Sequence, residues 1–423
     1  MMFPTLMQPE SKKERNLLMK TRIRENYNHT VYACFIGYII QAIVNNFAPL
    51  LFLTFQRTYG ISLSKISLLI TFNFGIQLLV DLLAAGFVDR IGYRISVVLA
   101  QVFSCAGLLS LAFLPDLMGN SFLGLLLSVM IYAIGGGLLE VLISPIVEAC
   151  PTQRKEAVMG LLHSFYCWGH AAVILLSTLF FYVFGIDNWR ILACLWAIIP
   201  LFNTLYFTQV PIAPLTEEGE GMSVRELIRS RMFWFMVILM VCAGACEQGI
   251  SQWASAFAEA GLHVSKTVGD LTGPCAFALL MGISRVVYAK FSEKVSLYRY
   301  MLCCGILCLC SYLLASLSPS PLLSLFGCAL CGLSVGVMWP GSFSLSAKKI
   351  PGGGTAMFAF LALAGDLGCS GGPSVVGFVS GLAGGNMKAG ILSGIIFPIL
   401  LILTLLYLMK QTSEKTTEKQ QLN

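Results

Sequence analysis

The chain has 423 residues, 57% hydrophobic and 11% charged, with a formal net charge of +6 and a mean hydropathy of +0.80. A soluble domain carries roughly 25% charged residues, so this composition excludes a water-soluble enzyme or regulatory domain as the body of the protein. It is that of an integral membrane protein, with apolar residues for about twelve spans of about 20 residues each.

Residues 1–28 are polar and basic and lack both a signal-peptide core and a small-residue cleavage site, so the first apolar run is expected to stay as a span. Apolar runs bounded by Pro, Gly and charge clusters predict spans near 29–55, 65–88, 95–114, 122–149, 157–184 and 190–209. Six more follow near 232–260, 267–289, 300–317, 321–347, 355–382 and 389–409. The expected fold is an all-α integral membrane protein of twelve transmembrane helices in two pseudo-symmetric six-helix bundles, 29–210 and 232–410. The most polar internal stretch, 211–231, joins them as a cytoplasmic linker, and 411–423 forms a tail. In the linker, Thr216 to Gly221 reads as flexible chain, and Ser223 with Glu226 reads as a capping box opening a short helix. With both termini cytoplasmic, 22 of the 27 Lys and Arg residues lie inside, leaving Arg57, Lys65, Arg190, Lys266 and Lys388 outside. That asymmetry sets the orientation, in a cell membrane and multi-pass. It also assigns the net positive charge to anionic lipid headgroups of the bilayer and not to nucleic acid.

One loop interrupts the apolar chain after the second span: Asp89-Arg90-Ile91-Gly92-Tyr93-Arg94. Its plain reading is a cytoplasmic turn obeying the positive-inside bias; its functional reading is a lock between helices. After the eighth span, Glu293-Lys294-Val295-Ser296 mirrors it, with Arg299 further on. A shift of 200 residues places Gly136 on Gly336 and Pro151 on Pro351, so the fourth and fifth spans repeat as the tenth and eleventh. The chain is an internal duplication, and parallel six-span halves with a substrate site near the midplane are one solution to alternating access.

The duplicated loop, the six-plus-six layout and the length resemble the major facilitator superfamily over nearly the whole chain. That resemblance implies a cytoplasmic gate in which Asp89 is the acid, Arg90 and Arg94 are bases and Gly92 permits close packing, with Glu293 and Lys294 as the weaker second copy. It also implies that the protein works as a monomer. Gly137-Leu138-Leu139-Glu140 with Ser144-Pro145, and Asn45-Asn46 in the first span, resemble the fucose permease group of proton-coupled sugar symporters. Two departures stand out: Ser144 replaces the group's asparagine, and Ala48-Pro49 stands where its acid is expected.

The chemistry is also legible without the family. Glu140 lies about ten residues, or roughly 15 Å of helix, from the cytoplasmic end of the fourth span, near the middle of a core of about 30 Å. An ionised carboxylate there is costly, so it should face a cavity and exchange protons; the alternative is a carboxylate paired structurally. Glu247 in the seventh span and Asp366 in the eleventh are further candidates for proton coupling and substrate binding, Asp366 equally for interhelical bonding at a Gly-rich crossing. Asp81 and Glu148 are expected in the gate network, Glu148 alternatively as an interfacial charge, and Arg285 is the one base placed deep in a span. Tyr38, Gln41, Asn45 and Asn46 on the first span, Asn73 and Gln77 on the second, Ser144 on the fourth, and His163, Tyr166 and His170 on the fifth offer amide, hydroxyl and imidazole groups. With Gln248 and a stacking face at Trp253 or Trp339, they suit a neutral polyhydroxylated solute. The alternative for each alone is an interhelical hydrogen bond.

Fifteen cysteines read as apolar fillers of spans, including Cys303, Cys304, Cys308 and Cys310. The Cys328 and Cys331 pair lacks a second metal-binding pair. Gly352-Gly353-Gly354-Thr355 lacks a phosphate-loop ending, and Trp189 and Trp234 are expected as interface anchors. No cofactor is implied. The leading expectation is a proton symporter for a sugar or polyol, with a small-molecule substrate and protons as partners. Alternatives are proton-driven efflux of amphipathic compounds and a non-transporting solute sensor.

Overall fold

The computed structural model describes residues 23–151, 155–213, 222, 224–291 and 295–421. Among the described residues there is no strand. Twelve helical stretches are long and apolar enough to cross a membrane: Tyr27–Tyr59, Leu63–Ala84, Tyr93–Leu117, Ser121–Glu148, Leu161–Phe184, Ile186–Phe207, Arg231–Gly261, Lys266–Tyr288, Leu297–Leu317, Pro321–Lys349, Met357–Leu382 and Met387–Gln411. They are numbered here as the first to the twelfth span. Each falls on an expected apolar run, with ends moved by a few residues.

The helix starts follow from backbone chemistry. A helix begins with four N–H groups that have no helical partner, and short polar residues at the edges of the apolar runs accept from them. Asn26 accepts from Asn28 N at 3.0 Å, Asn120 from Phe122 N and Leu123 N, Ser230 from Phe233 N and Asn386 from Ala389 N. Between helices Leu63–Ile91 and Tyr93–Leu117 the chain turns within one residue, Gly92. Its φ of 86° is one that L side chains rarely adopt, so the glycine of the 89–94 loop is a backbone requirement. The helix Val224–Arg229 forms where a capping box was expected, with Glu226 in its first turn; Ser223 lies outside the described residues.

Contacts divide the chain into two units, Met1–Leu51 with Ile76–Glu217, and Phe52–Gly75 with Glu218–Asn423. The first span changes unit where its helix breaks: Tyr27–Asn46 gives way to a 3-10 turn, Ala48–Leu51, and then to helix Phe52–Tyr59. Pro49, which has no N–H to continue the ladder, sits in that turn.

Within the first unit, spans approach closely at small residues. Gly37 of the first span lies against Ile143 of the fourth, Gly169 of the fifth against Ile39 and Ala42, and Gly135 of the fourth against Ser104 and Ala100 of the third. In lipid, where tails are as apolar as leucine, such close contact is what holds helices together. Within the second unit, the seventh and eleventh spans cross at Gly244, Gly368 and Gly372, each against backbone of the other helix. The 200-residue repeat recurs in contacts: Gly136 of the fourth span packs on Gln77 of the second, and Gly336 of the tenth on Met281 and Ser284 of the eighth. Leu82, Leu83, Leu175, Leu176 and Leu179 in one unit, and Leu322, Phe378 and Leu403 in the other, are exposed, as a lipid-facing surface requires.

Candidate functional site

Four helices of the first unit converge on Glu140. Gly136 and Gly137, one turn before it, have no side chains, so the fourth span lies against Gln77 and Val80 of the second. Glu140 is half-buried, and Gln41 Nε2 donates to its Oε2 at 3.1 Å. The same amide nitrogen donates to Gln77 Oε1 at 3.0 Å, and Gln77 Nε2 donates in turn to Asn45 Oδ1 at 2.9 Å. Gln41, Asn45 and Gln77 are buried, so the carboxyl stands at the end of a buried run of three amides.

One turn further along the fourth span, Ser144 Oγ lies 3.1 Å from Tyr38 OH, and Tyr38 OH lies 3.3 Å from His163 Nδ1. The His163 and Tyr38 rings meet edge to face at 5.5 Å. The first span therefore presents Tyr38, Gln41 and Asn45 on one stripe, three and four residues apart, as helical spacing allows. Chemically the group can accept hydrogen bonds from hydroxyls, donate to them, and take or give a proton at a carboxyl or an imidazole. His163 is exposed.

Several expected residues stand apart from this cluster. Asn46 turns back on its own helix, donating to Ala42 O at 2.9 Å. Asn73 is buried and belongs to the second unit. Tyr166 packs against the buried His170, ring to ring at 6.3 Å.

The second unit holds a separate acidic cluster. Gln248 Nε2 donates to Glu247 Oε1 at 3.2 Å, and Gln252 Nε2 donates to Gln248 Oε1 at 2.9 Å. Arg285 of the eighth span supplies an opposite charge near Glu247 and donates its Nε to Gly336 O at 3.0 Å. Trp253, expected as a stacking face, is fully buried and donates its indole N–H to Pro373 O at 2.9 Å. Trp339 is half-buried, with its ring on the backbone of Gly365; the neighbouring Asp366 is buried.

Of the expected gate residues, Asp89 lies in the last turn of helix Leu63–Ile91. Arg90 is exposed, and Asp81 and Glu148 are half-buried. Arg94 caps the sixth span, with Nη1 donating to Phe207 O at 2.8 Å and Nη2 to Val210 O at 2.9 Å. Glu293 and Lys294 lie outside the described residues. Trp189, expected at an interface, is fully buried; Trp234 is exposed.

Two polar arrangements escaped the sequence reading. The segment 52–75 is fastened inside the second unit by an ion pair of 2.6 Å between Arg57 and Glu259, by a hydroxyl contact between Thr71 and Ser374, and by Phe52 against Trp253. No sequence signal joins residues so far apart. The second joins the seventh and eighth spans: Lys266 Nζ lies 3.1 Å from Asp270 Oδ2, and Ser255 Oγ donates to Asp270 Oδ1 at 2.5 Å. Its spacing of four residues was readable in the sequence.

The Major Facilitator Superfamily profile matches residues 33–373. Among solved structures, a D-xylose-proton symporter is 12% identical with a TM-score of 0.72, the alignment covering 90% of this chain and 96% of that one. The E. coli fucose:proton symporter FucP is 15% identical with a TM-score of 0.61, covering 89% and 98%. A bacterial homologue of the human lysosomal transporter Spinster, inward-facing and occupied, is 14% identical with a TM-score of 0.68, covering 91% and 97%. At these identities the likeness is one of fold. No curated protein sequence matches the chain.

Proposed function

For a chain that belongs to the Major Facilitator Superfamily, we propose secondary active transport of a small polar solute, a sugar or polyol, by alternating access and driven by proton symport. The observation that carries this reading is Glu140, a carboxyl within the fourth span, bonded to Gln41 and one turn from the Tyr38, Ser144 and His163 cluster. Neutral amide, hydroxyl and imidazole groups match a solute that offers many hydroxyls and no charge. A carboxyl that gains and loses a proton as the site faces either side couples the solute to the proton gradient. One proton moving through 100 mV releases about 2.3 kcal/mol, enough for roughly 50-fold accumulation of a neutral solute. The proposed setting is the plasma membrane with both termini cytoplasmic, following the Lys and Arg asymmetry.

Purified protein in liposomes tests the coupling. A thermal-shift screen against sugars, polyols, organic acids and nucleosides at two pH values first identifies the solute. Glu140→Gln is then expected to abolish accumulation under an imposed proton gradient while solute exchange continues. Accumulation equal to that of the parent protein would remove Glu140 as the proton carrier, and extrusion of amphipathic dyes without sugar uptake would replace symport by efflux.

A further inference from the structure

Gln41 carries a feature that interhelical bonding alone leaves unexplained. Its amide nitrogen is committed twice, to Glu140 Oε2 at 3.1 Å and to Gln77 Oε1 at 3.0 Å. Its own oxygen, Oε1, is buried and has no hydrogen-bond partner among the described residues. A buried acceptor without a donor is costly and calls for an explanation. Turning the amide over does not remove it. Gln41 Oε1 would then face Gln77 Oε1, acceptor against acceptor, and Gln77 Nε2 is already committed to Asn45 Oδ1 at 2.9 Å. The amide's sense is therefore set by its neighbours, with nitrogen toward the carboxyl and oxygen unsatisfied.

An ionised carboxylate has only acceptors, so it takes the amide N–H and can offer Gln41 Oε1 nothing. A neutral carboxyl has one acceptor and one donor. It takes the N–H on its carbonyl oxygen and returns its O–H to Gln41 Oε1, closing a two-point acid–amide pair.

We propose that Gln41 is the residue that senses the proton on Glu140, through an acid–amide pair complete only when Glu140 is neutral. The inference rests on the reading of Glu140 as proton carrier. The proton enters from water on one side of the membrane, is held between the Glu140 carboxyl and Gln41 Oε1, and leaves to water on the other side as the pair opens. A solute hydroxyl that donates to Gln41 Oε1 competes with the Glu140 O–H for one acceptor, and that competition links solute occupancy to proton release.

Titratable groups stand on the surrounding elements. The first span brings Tyr38 and the fifth His163, joined to Ser144 one turn away. The second brings Asp81, one turn beyond Gln77. Along its own helix Glu140 has Tyr132 and Glu148, each two turns off.

Infrared difference spectra of the full-length protein in liposomes, taken between neutral and acid pH, read the carbonyl stretch of a protonated carboxyl directly. The band that disappears in Glu140→Gln belongs to Glu140. In Gln41→Leu that band is expected to move to higher frequency and to need about tenfold more protons to reach half intensity, the equivalent of one lost hydrogen bond. Exchanging the partners, Gln41→Glu with Glu140→Gln, rebuilds the pair with opposite polarity and is expected to recover a titrating band and pH-dependent accumulation that Glu140→Gln alone lacks. A Glu140 band unchanged in Gln41→Leu, or an exchanged pair without a titrating band, overturns the role of Gln41 and leaves Glu140 as carrier. If Glu140→Gln removes no band, the coupling reading itself fails, and the pair with it.

Discussion

Arg57 at the end of the first span and Glu259 at the end of the seventh form an ion pair of 2.6 Å, with the Arg57 side chain 69% exposed and that of Glu259 16% exposed. Water reaches the arginine, so the pair is worth about 0.2–1 kcal/mol, as exposed pairs are. That is small beside the stability of a fold. It is enough to shift a local two-state equilibrium by up to about fivefold.

A charge reversal tests whether the pair holds the segment 52–75 in place. With Thr71→Cys as reporter, Arg57→Glu is expected to raise labelling by a water-soluble maleimide about two- to fivefold. Adding Glu259→Arg should return labelling to its starting rate, and raised salt should mimic the single reversal. Labelling that ignores the charge would show that the Phe52–Trp253 contact holds the segment without the ion pair.

Asp89 and Gln77 share the helix Leu63–Ile91, twelve residues or about 18 Å of helix apart. Asp89→Asn is therefore expected to slow turnover several-fold while leaving solute affinity nearly unchanged. Equilibrium binding measured alongside exchange rates separates the two; a matching loss of affinity would contradict a purely gating role.

Arg94 donates two hydrogen bonds to carbonyls at the end of the sixth span, Phe207 O and Val210 O. Arg94→Ala leaves both acceptors without their charged donor and is expected to cost about 1–3 kcal/mol of stability. Arg94→Lys should recover only part of this, because an ammonium does not reproduce the guanidinium fork. Thermal unfolding in detergent checks the order parent, Lys, Ala.

Two glycines of the eleventh span should respond in opposite directions. A Cβ on Gly368 would meet the backbone of Val241 and Ala245, whereas one on Gly371 would meet nothing within 4 Å. Gly368→Ala is expected to destabilise by about 1–3 kcal/mol through overpacking. Gly371→Ala should stabilise by up to about 1 kcal/mol through helix propensity. Equal effects would mean that the seventh and eleventh spans do not cross at Gly368.

The spans were legible because the bilayer imposes a local rule: about 20 apolar residues in a row, with charge and short polar residues at the ends. Asn26, Asn120, Ser230 and Asn386 cap helices where the apolar runs begin, and Gly92 turns the chain where the charge cluster predicts a loop. Glu140 stood out for the same reason, as a carboxyl in an apolar run. Its partner did not. Gln41, Asn45 and Asn46 offer similar amides on one helix, yet Gln41 reaches Glu140, Asn45 accepts from Gln77, and Asn46 bonds to Ala42 O. Trp253 shows the same limit: an aromatic near a predicted cavity is spent on Pro373 O.

The sequence by itself determined the class, the twelve spans and the acids within them, because each is a property of a short window of the chain. Tertiary structure alone decided that Gln41 bonds to Glu140 across two helices, that Arg94 caps the sixth span, and that residues 52–75 pack with the second unit through Arg57 and Glu259. The physical reason is that helices apolar on every side carry little amphipathic signal to fix their rotation. Rotation, crossing point and contact at glycine then decide which polar side chains meet.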